Sequence, residues 1–224
     1  MKEAEKPMTE QESLALITAM INKAKETRHD TGLAAIMWGT VIAVCSLVRL
    51  SELQFNYRLP FDIYYLTFLA VVPQVYFSVK EGKERKVKTY GEDFFDYLWI
   101  GFGICIFLMI FITSTMFSDL NPAAAAYRES SGNSFAFRLN EYVSALFLLL
   151  YGLPTFVSGI SMKFKPMLWG GIFCWVACLV TLYTPGKIDL LLVAVSAIFA
   201  WLIPGLIMEK DYRKAKKEIA RQHV

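Results

Sequence analysis

The sequence has few histidines and no recognisable catalytic motif. Among 224 residues there are two histidines, His29 and His223, and neither has a second ligand at the spacing of a metal site. The sequence contains no Gly-x-Ser-x-Gly, no His-Glu-x-x-His and no glycine-rich phosphate loop. We therefore predict no catalytic, cofactor-binding or metal-binding residue and no cofactor, and these patterns do not favour an enzyme.

Cysteine is also scarce, and its positions exclude a disulfide framework. The four cysteines all fall inside long apolar stretches: Cys45, Cys105, Cys174 and Cys178. Cys174 and Cys178 are one helical turn apart, so two thiols on one helix face could bind a metal or take part in redox chemistry. The alternative, which we favour, is that both are small apolar packing residues.

A cleavable signal peptide is lacking where this sequence begins. Residues 1–6 are mostly charged and contain no apolar segment of the kind that a signal peptide needs. We therefore expect the first apolar run of the chain to act as its own insertion signal.

Apolar residues, in contrast, occur in long runs. They make up 55% of the chain, and a soluble domain usually has roughly 45–50%. Six stretches of about 20 residues are long enough to cross ~30 Å of hydrocarbon, and lipid requires them to be helical. They are 32–50, 60–79, 94–117, 141–160, 166–184 and 188–208. The predicted fold class is all-α: a polytopic membrane protein with six transmembrane helices, preceded by an N-terminal amphipathic helix.

The six stretches repeat one order of residues three times. Each pair has a Trp close to a Gly in its first stretch, an acid near the start of its second and a Pro towards the end. The three sets are Trp38, Asp62 and Pro73; Trp99, Glu141 and Pro154; Trp169, Asp189 and Pro204. We interpret them as three helical hairpins, although these residue types are common in membrane spans and the repeat could be a coincidence.

The distribution of basic residues predicts the orientation. Of the 23 Lys and Arg residues, 18 fall in the segments on one side of the six spans. Basic residues accumulate on the cytoplasmic side, so we predict that both termini are cytoplasmic. The predicted organisation is a cytoplasmic leader and amphipathic helix at 1–30, a transmembrane domain at 31–208 with an outer loop at 118–140, and a basic cytoplasmic tail at 209–224. In the outer loop, Asn121 followed by Pro122 indicates the start of a short helix.

Both terminal segments offer surfaces for partners. Thr9 and Glu12 form a capping box, and an apolar stripe beginning at Leu14 follows it. We favour a helix that lies on the bilayer surface or folds against the bundle. The alternative is a docking helix for a cytoplasmic partner. The basic tail favours the anionic headgroups of the lipid bilayer, while a net charge of only +3 does not favour nucleic acid. A protein partner or a homo-oligomer is possible.

Few polar groups fall deep inside the predicted spans. Gln74 and Asp96 are the candidate polar intramembrane positions, and Gln74 is the deepest. Asp96, like Asp189 and the other acids, lies within about two turns of a span end, where we expect it to reach water or headgroups. Proline removes an amide donor and kinks helices, so Pro73, Pro154 and Pro204 are candidate hinges.

Two stretches carry a resemblance to known proteins. Residues 150–175 contain Tyr151-Gly152-Leu153-Pro154 and Trp169-Gly170-Gly171, and residues 202–205 read Leu-Ile-Pro-Gly. Together with the Glu12-Ser13-Leu14 helix, they resemble a group of small multi-pass bacterial inner-membrane proteins without an assigned function. The resemblance implies an inner-membrane location and transfers no site residue.

Three classes of function remain open. A lack of intramembrane charge and two cytoplasmic segments favour a non-enzymatic structural, accessory or regulatory membrane component. A small transporter or channel is the alternative, and an intramembrane enzyme is the least favoured.

Overall fold

The structure is a computed structural model that describes residues 31–84, 90–132 and 139–222, together with Thr9, Gln11, Ser13, Leu14 and Thr18. Every regular element in this part of the chain is a helix, so the predicted all-α fold class is confirmed there. The helices are α1 Leu33–Phe55, α2 Tyr65–Glu84, α3 Tyr90–Ser131, α4 Leu139–Ser161, α5 Lys165–Thr181, α6 Gly186–Ala197 and α7 Ile203–Gln222. A π-helical turn, Ile198–Leu202, joins α6 to α7 without a break.

Within residues 31–84, 90–132 and 139–222, four helical segments are long and apolar enough to cross a membrane. They are Leu33–Phe55, Phe94–Ser131, Tyr142–Ser161 and Gly186–Glu218. α5 is apolar but has only 17 residues, and α2 is not among the four. The chain is therefore built of apolar helices suited to a membrane, and the finer arrangement of six spans in three hairpins stays a prediction.

One correction concerns the short helix predicted to start at Asn121–Pro122, within the outer loop predicted at 118–140. Residues 118–131 continue α3, which is a single helix of 42 residues. Pro122 lies inside that helix and does not start a new one. A proline inside a helix loses one backbone hydrogen bond and its ring crowds the carbonyl four residues earlier. The four alanines that follow Pro122 are the strongest helix formers and favour continuation of the helix. Residues 133–138 of the same loop lie outside the described residues.

The chain divides into two compact units, Gly32–Ile207 and a second unit formed by Met1–Thr31 and Met208–Val224. In the second unit, Gln11, Ser13, Leu14 and Thr18 are helical, and Ser13 N–H donates to the Thr9 carbonyl at 3.0 Å. These positions agree with a helix that begins after Thr9. Glu12 and the rest of the apolar stripe lie outside the described residues.

Within Gly32–Ile207, the π-turn and α6 are at the centre of the packing. α5 packs against α4 over the largest interface, and α6 with its π-turn contacts α1, α4 and α5. Among the described helices, α2 packs only on α1. α3 packs on α4 and also touches the π-turn through the rings of Trp99 and Phe102. The helices α5 and α6, which form the third predicted hairpin, thus lie between the pair α1 and α2 and the pair α3 and α4.

The α1 and α6 helices run antiparallel in a register that several contacts define. Lys187 Nζ donates to Gln54 Oε1 at 3.1 Å at one end, and Gly39 meets the backbone of Leu202 at the other. Because the helices are antiparallel, the residue two positions before Gln54 lies beside the residue two positions after Lys187. Glu52 of α1 is therefore at the same height along the helices as Asp189 of α6. This register decides which polar groups share a layer of the core.

Candidate functional site

Trp201, on the π-turn, lies at the centre of an aromatic cluster. Its ring centroid is 4.8 Å from that of Tyr151, 6.1 Å from that of Phe102 and 6.5 Å from that of Trp99. These separations are those at which aromatic rings attract one another. Trp201 is only 3% exposed, so the cluster ties α3, α4 and the π-turn together in the interior.

The indole of Trp201 also has a buried hydrogen-bond partner. Trp201 Nε1 donates to Thr155 Oγ1 at 2.8 Å, and Thr155 Oγ1 donates to the Tyr151 carbonyl at 2.7 Å. Thr155 is fully buried. The Trp201 indole N–H and the Thr155 hydroxyl group therefore both have hydrogen-bond partners. Buried polar groups that are paired in this way cost little free energy.

The π-turn that carries Trp201 is followed directly by Ile203 and Pro204. Pro204 has no N–H and its ring collides with the carbonyl four residues earlier in a regular α-helix. In the π-turn, Ile203 N–H donates to the Ile198 carbonyl, five residues back. π-turns recur at functional sites.

Two glycines from neighbouring helices hold the π-turn on opposite sides. A Cβ added at Gly39 would lie 2.6 Å from the backbone N of Leu202, and one added at Gly170 would lie 2.6 Å from the Cα of Ala200. A Cβ at Gly101 would meet nothing within 4 Å. The three Trp-associated glycines are therefore not equivalent: α1 and α5 approach the π-turn through Gly39 and Gly170, whereas the glycine on α3 makes no close contact.

The two predicted polar intramembrane positions do not come together. Gln74 Oε1 accepts a hydrogen bond of 3.1 Å from Trp38 Nε1, which joins α2 to α1. Asp96 lies on α3 and is exposed. Gln74 thus serves helix association, and these two residues do not form one polar site.

The three candidate hinges all lie within helices or at a junction between helices. Pro73 is inside α2 and half-buried, and Pro154 is inside α4 and fully buried. Pro204 is fully buried and directly follows the π-turn. Pro204 is the one of the three whose neighbourhood has a changed hydrogen-bond pattern, while motion at all three stays a prediction.

Asp189 differs from the sequence-based expectation. We expected its carboxyl group to reach water or headgroups, but its side chain is fully buried. The reason is that the register of α1 against α6 covers this end of α6 with the last turns of α1. Glu52, level with it, is also buried and accepts hydrogen bonds from Leu59 N–H at 2.9 Å and Arg49 Nη1 at 2.7 Å.

Two of the four cysteines occupy packing positions, while Cys178 is half-buried and Cys105 is exposed. Cys45 and Cys174 are buried in the core, and Cys45 Sγ donates to the Ile63 carbonyl at 3.4 Å. Gly170 lies against Ala200. Four residues further along α5 and four residues back towards α6, Cys174 lies beside Ser196, and their side chains interact. Across 31–84, 90–132 and 139–222, no group of three or more His, Cys, Asp or Glu is placed to hold a metal ion.

Sequence reasoning missed the cluster of Tyr151, Thr155 and Trp201. One signal was available: Ala194, Ala197 and Ala200 recur at helical spacing and mark a closely packed face of α6. That pattern does not reveal which aromatic side chain turns into the same interior, because the π-turn shifts the helix register just before Trp201.

Comparison with known proteins adds no relative to this description. No family model matches the chain, and neither a curated protein nor a solved structure matches it. The features above therefore define the class as far as it is shown: an all-α protein with apolar, membrane-compatible helices.

Proposed function

We propose that this chain is a six-span inner-membrane protein of a bacterial cell that acts as a non-enzymatic structural, accessory or regulatory component. The observation that carries the proposal is the close-packed interior around the π-turn. Gly39 and Gly170 leave no room for even a methyl group beside that turn. The side chain of Gln74, a candidate for lining a polar pathway, is engaged with Trp38.

The six-span arrangement draws support from the surfaces of α2 and α5. α2 has 20 residues, so it is about 30 Å long, and it exposes apolar side chains such as Leu69, Val72 and Val75. α5 is shorter, but Val176 and Leu179 are exposed on it. Apolar side chains in such numbers are stable when they face lipid.

Orientation can be tested by labelling single cysteines. In a variant lacking Cys45, Cys105, Cys174 and Cys178, we introduce K86C or S130C. With cytoplasmic termini, an impermeant maleimide added to intact spheroplasts labels S130C and leaves K86C unlabelled until the membrane is permeabilised. Labelling of K86C with protection of S130C would reverse the topology.

The C-terminal segment provides the surface proposed for a partner. α7 continues for 20 residues, and Lys210, Arg213, Lys214, Lys216 and Lys217 are exposed on it. Half-buried Tyr212 and Ala215 lie between these bases. An exposed basic helix of this kind suits anionic headgroups, and its apolar stripe suits a protein partner or a second copy of the chain.

A flux measurement separates the proposed role from the transporter or channel alternative. The purified chain, reconstituted in sealed vesicles, is expected to leave proton, potassium and chloride permeability at the level of protein-free vesicles. Vesicles that contain a protein of similar size and no known conductance are the control. A permeability that rises in proportion to the protein content would overturn the accessory role.

A further inference from the structure

The charge-free part of a helix differs in length from one helix of the bundle to another. On α1 and α2 it covers residues 33–48 and 65–79, and on α3 and α4 it covers residues 97–118 and 142–161. At a rise of 1.5 Å per residue these segments are about 24, 23, 33 and 30 Å long, in that order. The α3 segment is therefore about 10 Å longer than the α2 segment.

Exposed charged side chains mark the ends of these segments. α1 reaches Arg49, whose side chain is 45% exposed and pairs with Glu52 at 2.7 Å, and α2 reaches the exposed Lys80. On α3, Asp96 and Asp119 follow the two ends of the segment, and both are exposed. Because an exposed charge is costly in hydrocarbon, these residues limit the part of each helix that acyl chains can surround.

Helix tilt does not remove the difference in length. Transmembrane helices tilt by roughly 20° on average, which shortens the α3 segment only from about 33 to about 31 Å along the membrane normal. A tilt of roughly 47° would be needed to match an upright α2, and observed tilts extend only to about 40°. Any tilt of α2 makes its own segment thinner still.

Little protein surrounds α2 to compensate for its short segment. Among the described helices it packs only on α1, where Trp38 Nε1 donates to Gln74 Oε1 at 3.1 Å. Tyr65, Val72 and Val79 are between 52% and 69% exposed along its length. Acyl chains suit so apolar a surface, and they must then end where the α2 segment ends.

We propose that the lipid-facing belt of this protein is uneven: α1 and α2 fit a bilayer whose hydrocarbon core is about 10 Å thinner than the layer that fits α3. A typical core of ~30 Å matches α3 and α4, so the partner of the α2 surface is the acyl chains of a locally thinned bilayer. This inference rests on the proposed six-span arrangement, in which α2 and α3 both cross the membrane. It also accounts for α2 not being among the helices long and apolar enough to span an ordinary bilayer.

Water accessibility at the helix ends tests the uneven belt. Y65C and V79C mark the ends of the α2 segment, and Y97C and S118C mark those of the α3 segment. Each full-length variant, without the native cysteines, is placed in nanodiscs of one phosphatidylcholine, in a series from dimyristoleoyl through dioleoyl to dierucoyl chains. The measured quantity is the rate of reaction with a charged, water-soluble maleimide, which is lost when a cysteine enters the hydrocarbon.

The expected result is that Y65C and V79C become unreactive at a shorter acyl chain than Y97C and S118C. Loss of reaction at the same acyl chain for all four would overturn the uneven belt. V72C, in the middle of the α2 segment, distinguishes that outcome from failure of the six-span arrangement. A spanning α2 keeps V72C unreactive in every nanodisc, whereas a reactive V72C would contradict the span and the uneven belt with it.

A second set of the same variants keeps the native cysteines, so that the test does not depend on folding without them. Cys45 and Cys174 are buried, and Cys105 lies inside the α3 segment, so we expect the parent protein to react slowly. The rate of the variant minus the rate of the parent gives the rate of the introduced cysteine. The same order of loss along the lipid series supports the uneven belt, and simultaneous loss contradicts it.

Discussion

Replacing Gly170 with valine is expected to destabilise the protein by roughly 3 kcal/mol, because the new side chain would collide with backbone. The nearest atoms to a Cβ at this position are Ala200 Cα, at 2.6 Å, and the Phe199 carbonyl oxygen, at 2.9 Å. Backbone atoms cannot rotate away as a flexible side chain can, so α5 must separate from the π-turn. The separation would loosen the packing around Trp201 as well.

Gly101→Val is the matched control, since it makes the same chemical change in a helix where a Cβ meets nothing within 4 Å. Thermal unfolding can be followed with a thiol-reactive fluorescent dye that reports exposure of the buried Cys45 and Cys174. We expect Gly101→Val to leave the midpoint almost unchanged. Equal midpoints for the two variants would show that the α5 contact with the π-turn does not limit stability.

The apolar runs allowed the helical fold to be predicted, because length and apolarity are properties of a single segment. Four of the predicted spans overlap helices that are long and apolar enough to cross a membrane. Local signals were less dependable where two of them competed. Pro122 after Asn121 is a good start for a helix, yet α3 passes through it, and the four alanines that follow are strong helix formers.

The direction in which a side chain faces could not be predicted in the same way. Asp189 and Asp62 both occur near the outer end of a predicted span, but Asp189 is buried and Asp62 is exposed. The difference comes from the packing of α1 against α6, which depends on contacts between residues more than 100 positions apart, such as Gln54 and Lys187. No periodicity within one segment contains that information.

The repeat of Trp and Gly illustrates the same limit. Trp38-Gly39 and Trp169-Gly170 both lead to glycines that touch the π-turn, while Gly101 is open to its surroundings. Two of the three positions thus share a structural role because α1 and α5 both flank the π-turn. The third does not, since α3 reaches the π-turn through the rings of Trp99 and Phe102 and not through Gly101.

Truncating Trp201 is expected to have the largest effect of any single change, a loss of about 4 kcal/mol for Trp201→Ala. The substitution removes a side chain that is 3% exposed and stacks with Trp99, Phe102 and Tyr151. It also leaves Thr155 Oγ1 without its buried donor. Trp201→Phe keeps most of the ring contacts and removes the indole N–H, so it should cost only about 1–2 kcal/mol.

Trp169→Ala is the control that distinguishes the cluster from a general need for tryptophan. Trp169 is on α5 and 66% exposed, so its loss should change the unfolding midpoint little when both variants are measured with the same thiol-reactive dye. The order expected from the structure is Trp201→Ala lowest, then Trp201→Phe, then Trp169→Ala close to the wild type. If Trp201→Ala unfolded at the same temperature as Trp169→Ala, the aromatic cluster would be incidental, and the core would depend on the glycine contacts of α1 and α5 instead.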